Sequence, residues 1–410
     1  MKWMNPSSVP LVHATTVPMT LRCLSGQPGF MRDCGFEVHV LSSPGEELEK
    51  FALREGASPH AVPMLRRITP LRDIVSVVRI WRILRAVGAQ IVDAHTPKAG
   101  LLGMLAAWLS GVPVRIYHMH GLPFVTRSGF ARWLLRWTET IASLLSHRVL
   151  CVSHSIRVLA IAEGICRPEK IRVLLDGSIN GVDAMGRFQP AKSDGVVRRA
   201  SRARLGIAED SPVVGFVGRV VREKGIVELV TAWGALRSEF PKLHLVVVGP
   251  FEAEDPLPEP TERVLKSDPR IHLVGLDWNT PPLYSAMDLV VLPTYREGFS
   301  VVPIEAAAMA LPVVGTRVPG CLDGVVDGKT GTLVPPCDAD SLAQAIRNYL
   351  RDPSLRRAHG AAGRARVLQK FRREALWAAM RDEYRSLMSA RLPLRQARDA
   401  NVGPSPRSAL

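Results

Sequence analysis

Residues 213–226 read Val-Val-Gly-Phe-Val-Gly-Arg-Val-Val-Arg-Glu-Lys-Gly-Ile. The first six form an apolar, strand-like run ending at Gly218, and a helical pattern starts at Ile226. In open α/β sheets, ligands bind where the carboxyl end of a parallel strand feeds a helix. The helix N-terminus there favours phosphate. Arg219 and Lys224 add two cations at the same mouth, which suits a diphosphate. A solvated basic turn would have the same composition, so this stretch alone leaves both readings open.

Working outward, short apolar runs alternate with longer helical patterns. Strands are expected at Val9–Ala14, Phe36–Ser42, Gln90–His95, Val112–Met119, Arg148–Ser153 and Ile171–Asp176. A second series follows at Val213–Gly218, Leu243–Gly249, Ile271–Gly275, Leu289–Pro293, Leu311–Thr316 and Thr332–Pro335. Near-continuous Val, Leu and Ile runs suit parallel strands covered on both faces. Helices are expected at Leu71–Val87, Gly129–Ser146, Ile226–Glu239 and Ser341–Leu350, with a final one over about 371–391. The pattern predicts an α/β protein of two Rossmann-like, doubly wound, parallel-sheet domains. We place the first at 1–190, a linker near 185–212, the second at 191–375, and a final helix crossing back with a disordered tail at 376–410.

Composition narrows the class. The chain has 410 residues, 47% apolar and 22% charged, which excludes a mostly disordered or collagen-like protein. No apolar run reaches the roughly 20 residues of a membrane-spanning helix. The start carries polar Asn5, Pro6, Ser7 and Ser8 where a secretory signal needs an apolar core, so the expected compartment is the cytoplasm. Six scattered cysteines suggest neither a disulfide framework nor a zinc knuckle. The net charge of +15 favours anionic partners: nucleic acid, phosphorylated ligands or an anionic membrane.

A second constellation is Glu297-Gly-Phe-Ser-Val-Val-Pro-Ile-Glu305, between the strand ending at Pro293 and a helix near Val302–Ala310. The spacing lets both glutamates face one crevice, and the amides of Gly298, Phe299 and Ser300 can point at a phosphate. Two glutamates complementing a helix dipole are the plainer alternative.

The order Gly218-Arg219, Lys224-Gly225, Val-Val-Gly249, Ile-His-Leu-Val-Gly275 and Glu-x7-Glu resembles the retaining GT-B glycosyltransferases of family 4. Pro319-Gly320, Asp327-Gly328 and Gly331-Thr-Leu-Val-Pro335 extend the resemblance through the second domain. Ala94-His-Thr-Pro-Lys-Ala-Gly100, His120-Gly121 and Asn180-Gly-Val-Asp183 carry it into the first. The resemblance implies two domains facing a cleft and a nucleotide-sugar donor, with no cofactor and no metal. It assigns Arg219 and Lys224 to the leaving diphosphate, Glu297 to the donor sugar's hydroxyls and Glu305 to the ribose. His120 would line the reaction centre, and Gly218, Gly249, Gly298, Phe299 and Ser300 would contact the donor. Charge accumulates on the leaving diphosphate, so preorganised cations and amides are the largest expected catalytic contribution.

Departures from the family pattern are local. Its Gly-Gly loop after the first strand is replaced by Thr15-Thr-Val-Pro-Met-Thr20, which leaves Thr16 to supply hydroxyl or amide donors on the acceptor side. Asp93 stands where relatives commonly have histidine, and Met1–Pro10 is an unusual lead-in. His95, His118 and His120 suggest a metal, but no carboxylate or cysteine is evident to complete the set. Asp338-Ala-Asp340 reads as a helix cap, and Gly324–Thr330 as a glycine turn.

From Arg66 to Arg85 there are six arginines and one aspartate. The helix from Gly129 adds Arg132 and Arg136 beside Trp133 and Trp137, whose indoles are expected to pack on the sheet. With the resemblance, this charge points to a peripheral site on the inner face of the cell membrane and no nucleic acid. The acceptor so implied is a polyprenyl-diphosphate-linked saccharide in surface polysaccharide biosynthesis. A nucleotide-sugar epimerase of the same fold, a basic nucleic-acid-binding protein and an inactive relative are the alternatives. Glu-x7-Glu argues against the epimerase, the lack of a reading helix against nucleic acid, and the intact Arg219, Lys224, Glu297 and Glu305 against inactivity.

Overall fold

A computed structural model describes residues 8–65, 67, 69–190 and 195–401. Met1–Ser7, Arg66 and the tail expected beyond Asn401 lie outside the described residues. The chain divides into two compact units. One runs to Val152, resumes at Arg157–Leu175 and closes with the segment from Glu374; the other is Ser153–Ile156 and Asp176–Arg373.

The first unit holds seven strands: β1 (Val9–Ala14), β2 (Phe36–Ser42), β3 (Ser58–Ala61), β4 (Ile91–His95), β5 (Val114–Met119), β6 (Arg148–Cys151) and β7 (Ile171–Arg172). They pair in the order β3-β2-β1-β4-β5-β6-β7, every pair parallel. The second unit holds β8 (Val213–Val217), β9 (His244–Val248), β10 (Ile271–Gly275), β11 (Leu289–Leu292), β12 (Val313–Thr316) and β13 (Gly331–Val334). Their order is β10-β9-β8-β11-β12-β13, again wholly parallel. Both sheets are Rossmann-like. The strand order reverses at β1/β4 and at β8/β11, which is where such sheets open for ligands.

The cores follow from the apolar runs. In the first unit Leu11, Ile91, Val114, Ile116 and Leu150 of the sheet pack with Met380, Tyr384 and Leu387 of the last helix, Arg373–Asn401. Trp377 of that helix leaves no room for a side chain on Gly26, whose Cβ would sit 2.7 Å from the indole. Glu383 accepts from Arg148 Nε of β6 at 2.7 Å and Arg172 Nη1 of β7 at 3.3 Å. The last helix is thus a structural part of the first unit. Phe371 precedes it and belongs to the second unit, against Phe299.

Two expectations shift. The boundary expected at 190 falls near 175, because residues 176–190 are tied to the second unit. Val182 N–H donates to Phe371 O at 2.8 Å, and Asp183 pairs with Arg373 at 2.9 Å. The expected linker at 185–212 contains a helix, Val196–Arg204. Arg202 on it is almost wholly buried and donates to Ala286 O, Ala208 O, Glu209 O, Ser211 O and Asp288 Oδ2. Its guanidinium satisfies carbonyls that would otherwise be stranded in the interior. β3 and the Pro97–Leu109 and Pro353–Lys370 helices are further elements outside the expected set.

The Gly129–Leu145 helix buries one residue of opposite character to its surroundings. Glu139 accepts from the Tyr117 hydroxyl at 2.6 Å, while its Oε1 has no partner among the described residues. Burial raises its pKa to about 7, against a smaller lowering by the Tyr117 bond. A raised carboxyl pKa means the folded state holds a proton that the unfolded chain loses. Stability therefore falls as pH rises from the ordinary carboxylate range to about 7. Glu139→Gln is expected to raise the melting temperature at pH 8 and to bring no gain near pH 4, as read by calorimetry across pH. Arg202→Met should destabilise the second unit by about 3–5 kcal/mol, because it leaves several buried carbonyls without a donor while Asp288 keeps Arg198 and the Val213 N–H; denaturant titration measures it.

Candidate active site

In the second unit, backbone geometry comes first. Gly218 and Gly249 end β8 and β9 at φ 148° and 143°, and a Cβ on Gly249 would lie 1.8 Å from Gly218 O. Only glycine permits this approach. Gly225 caps the Ile226–Glu239 helix at φ 71°, with its Cα against Pro293 O. This seats the turn carrying Lys224 on the loop that follows β11.

That loop is fastened to the turn along its length. Tyr295 N–H donates to Glu223 O at 2.9 Å, and Arg296 Nε to Glu223 Oε1 at 2.5 Å. Tyr295 hydroxyl donates to Glu228 at 2.7 Å. Lys224 Nζ then pairs with Glu297 Oε1, both largely buried. The two charges are brought together where the carboxyl ends of β8 and β11 open. Arg219 sits farther out, 43% exposed, and pairs with Glu252 at 2.7 Å. An exposed pair of that kind is worth at most about 1 kcal/mol, so Arg219 is available to a stronger anion.

Glu305 lies on the Val301–Ala308 helix and accepts from the buried Tyr284 hydroxyl at 2.9 Å. Burial raises its carboxyl to about 7, while Tyr284 and Arg187 pull it down. The contacts of Glu297 and Glu305 are therefore different: a lysine for one, a phenol for the other.

Gly298 O accepts from Ser153 Oγ at 2.7 Å, and Gly320 N–H donates to Ser155 Oγ at 2.8 Å. Asp323 accepts from His154 N–H at 2.8 Å and from Ser155 Oγ. These four residues lock the Gly298 and Gly320 backbones side by side. The Phe299 ring turns inward against Phe371, 5.6 Å between centroids, so Phe299 offers only its backbone outward. Ser300 is buried at the helix N-cap, where its side chain makes no capping bond.

In the first unit, His120 follows β5 and is half-buried, with Nε2 3.0 Å from His95 Nδ1. Thr16, expected on the acceptor side, is buried. Its Oγ1 lies 2.7 Å from Thr96 Oγ1 and accepts from Ala99 N–H at 3.2 Å. It closes the start of the Pro97–Leu109 helix because Thr96, at φ 70°, turns the chain too sharply to cap that helix itself.

A carboxylate does join the histidines. Asp93 lies 3.7 Å from both His95 Nε2 and His118 Nδ1, and ligand atoms of His95, His118 and His120, and of His13, Asp93 and His95, fall within 4.8 Å of one another. The rings of His95 and His118 are stacked, 27° apart, and the His120 ring stands nearly perpendicular to both.

Sequence reasoning missed Tyr284, Glu252, Ser153, Ser155, Asp323 and the Asp93 contacts. Each acts across a long stretch of chain, and of these only Asp93 and Asp323 lie next to a quoted motif.

Comparison with known proteins places this geometry. Residues 197–366 match the model of glycosyl transferases group 1, and residues 30–177 that of a glycosyl transferase 4-like domain. A Staphylococcus aureus protein, capsular polysaccharide biosynthesis glycosyltransferase CapM, is 32% identical over 378 residues, 92% of this chain and 97% of its own. An Escherichia coli UDP-Gal:alpha-D-GlcNAc-diphosphoundecaprenol alpha-1,3-galactosyltransferase is 27% identical over 326 residues, 78% of this chain and 81% of its own. Among solved structures, Anabaena HepE in complex with UDP-glucose superposes with a TM-score of 0.76 at 20% identity, over 93% of this chain and 99% of that one. The chain belongs to the group 1 glycosyltransferases, and its two parallel-sheet units are those of the GT-B fold.

Lys224→Ala and Glu297→Ala are each expected to lower kcat/KM by about 100-fold or more with the fold intact, and to lower the melting temperature, since each leaves a largely buried charge without its partner. Glu252→Ala should leave turnover within about threefold, since it removes only an exposed partner of Arg219. Steady-state kinetics with circular dichroism checks all three.

Proposed function

We propose that the protein is a retaining glycosyltransferase of cell-surface polysaccharide, including exopolysaccharide, assembly. It moves a hexosyl or N-acetylhexosaminyl group from a nucleotide-diphosphate sugar to a polyprenyl-diphosphate-linked saccharide, without a metal ion. The observation that carries the donor half is the Lys224–Glu297 pair at the carboxyl ends of β8 and β11. A diphosphate arriving there takes two cations, Lys224 and Arg219, in the place a metal fills elsewhere. Lys224 has three donors and can serve phosphate and Glu297 together. Glu297 then accepts from sugar hydroxyls and Glu305 from the ribose, and the amides of Gly298, Phe299 and Ser300 face the phosphate. As the sugar–phosphate bond breaks, negative charge grows on oxygens already facing these donors, which favours the transition state over the ground state. Leaving and attacking groups on one face of the sugar would give retention. His120 accepts from a substrate hydroxyl.

The acceptor half is supported by the relatives' own activities and by the surface of the first unit. On the Gly129–Leu145 helix, Phe130, Trp133 and Trp137 are 73%, 57% and 53% exposed, not packed on the sheet as their spacing suggested. Their rings stack in a row, 5.6 and 6.3 Å between centroids. The neighbouring Pro97–Leu109 helix exposes Trp108 and Leu109. The Pro70–Ala86 helix beside it exposes Leu71, Ile74 and Val75 among Arg72, Arg79 and Arg82. Aromatic and basic residues mixed on exposed helices fit an anionic membrane interface better than nucleic acid. No described helix is long and apolar enough to cross a membrane.

One of UDP, GDP, ADP and dTDP is expected to raise the melting temperature, and its sugar should be transferred to a polyprenyl-diphosphate saccharide with EDTA present. No shift with any nucleotide, or turnover abolished by EDTA and restored by a divalent ion, would overturn the donor reading. The protein should float with anionic vesicles, and Trp133→Ser with Trp137→Ser should weaken flotation at least tenfold. Equal binding by the double variant would remove the aromatic row from the membrane reading.

A further inference from the structure

The first unit buries more titratable groups than its proposed chemistry uses. His13 of β1, Asp93 and His95 of β4 and His118 of β5 are wholly or almost wholly buried, and the half-buried His120 follows them. Tyr384 of the last helix donates its hydroxyl to Asp93 Oδ2 at 2.6 Å. Three of the rings form a chain: His13 Nδ1 lies 3.2 Å from His95 Nε2, and His95 Nδ1 lies 3.0 Å from His120 Nε2.

Burial lowers the pKa of His13 to about 4, of His120 to about 3, and of His95 well below its ordinary value, so all three rings are neutral at pH 7. A neutral imidazole carries one ring proton, with one nitrogen donating and the other accepting. Hydrogen bonds along three such rings must therefore all run the same way. Either every ring donates toward His13, or every ring donates toward His120.

Asp93 decides between the two. Burial works against its charge, but its carboxyl stays below the usual range among the polar ring groups around it, and its Oδ2 accepts from the Tyr384 hydroxyl at 2.6 Å. A carboxylate only accepts, and Asp93 Oδ1 lies 3.7 Å from His95 Nε2, beyond hydrogen-bond reach and with no other partner among the described residues. Its charge acts on that nitrogen through space and favours a ring N–H there over a lone pair. The proton of His95 therefore belongs on Nε2, between the carboxylate and His13. His95 Nδ1 is left as an acceptor, which requires a proton on His120 Nε2.

We propose that Asp93, acting through His95, fixes His120 in the tautomer with its proton on Nε2, so that His120 Nδ1 presents a lone pair to a substrate hydroxyl. Asp93 and His95 are then positioning residues, and the chain ends at His13, whose buried Nε2 carries a proton with no acceptor among the described residues. A base held by a second group, itself oriented by a carboxylate, follows the general logic of activated nucleophile sites. The inference rests on the role given to His120 above, but the ring's tautomer can be read without turnover.

The test uses the full-length protein labelled with ¹⁵N-histidine. Long-range ¹H–¹⁵N correlation spectra assign the His120 ring by comparison with His120→Gln. The expected wild-type ring is protonated at Nε2 and bare at Nδ1. Asp93→Asn should produce a mixture of tautomers and lower kcat about 10- to 100-fold with the donor KM within about threefold. His95→Asn keeps an acceptor near the position of Nδ1 and should retain most of kcat, whereas His95→Leu should lose as much as Asp93→Asn. A wild-type His120 protonated at Nδ1, or an unchanged tautomer in a folded Asp93→Asn, would overturn the proposal. So would equal kcat in His95→Asn and His95→Leu, which decides the matter if Asp93→Asn does not fold. The expected tautomer in a protein that transfers no sugar would sink the functional reading and leave this one standing.

Discussion

Every strand pairing among the described residues is parallel, and that constraint organises the rest. Parallel neighbours need a crossover connection, so each strand's carboxyl end opens on the same edge of its sheet. The edge collects loops, and loops there are held by a rigid frame while remaining free to carry polar groups. His95 and His120 stand at that edge of the first sheet, and Gly218, Lys224, Gly249 and Glu297 at that edge of the second. At the amino end of β6, Arg148 is matched to Glu383, which also takes Arg172 of β7.

Within each unit the polar groups obey one rule, that charge drawn inward must meet a partner. Arg202 meets four carbonyls and a carboxylate, and Lys224 meets Glu297. Glu139 and Glu305 each have only a tyrosine hydroxyl and answer by holding a proton up to about pH 7. The difference between a structural and a reactive group is therefore not burial itself. It is whether the partner uses up the available lone pairs and protons. Arg202 has little left to offer, whereas Lys224 has donors to spare.

The sequence was most legible where one element declares itself. Twelve strands were readable as apolar runs because a strand covered on both faces has no polar side to confuse the pattern. β3 was not, since Ser58-Pro-His-Ala is short, polar and lies at the sheet edge, where half its surface is wet. The Val196–Arg204 helix hid behind its arginines, which suggested solvent although Arg202 is buried. At the site, Arg219, Lys224, Glu297 and Glu305 were visible through local spacing, but their partners were not. Tyr384 and Asp93 are separated by 291 positions, and nothing local marks the pair. The Phe299 ring and the Thr16 hydroxyl each turn into their own unit's interior, which leaves the Phe299 amide as the part of that residue open to a ligand.

The return of the last helix to the first unit has a consequence for how the protein is made. Met380, Tyr384 and Leu387 complete a core whose other members lie before position 151. Roughly 200 residues of the second unit separate the two parts, which at about 5–20 residues per second is a delay of roughly 10–40 s on the ribosome. Throughout that interval the nascent first unit has an open apolar flank and an Asp93 still lacking the Tyr384 hydroxyl. The second unit, contiguous but for Ser153–Ile156, can close first. Assembly therefore runs against the order of translation, with the domain begun earliest finished last.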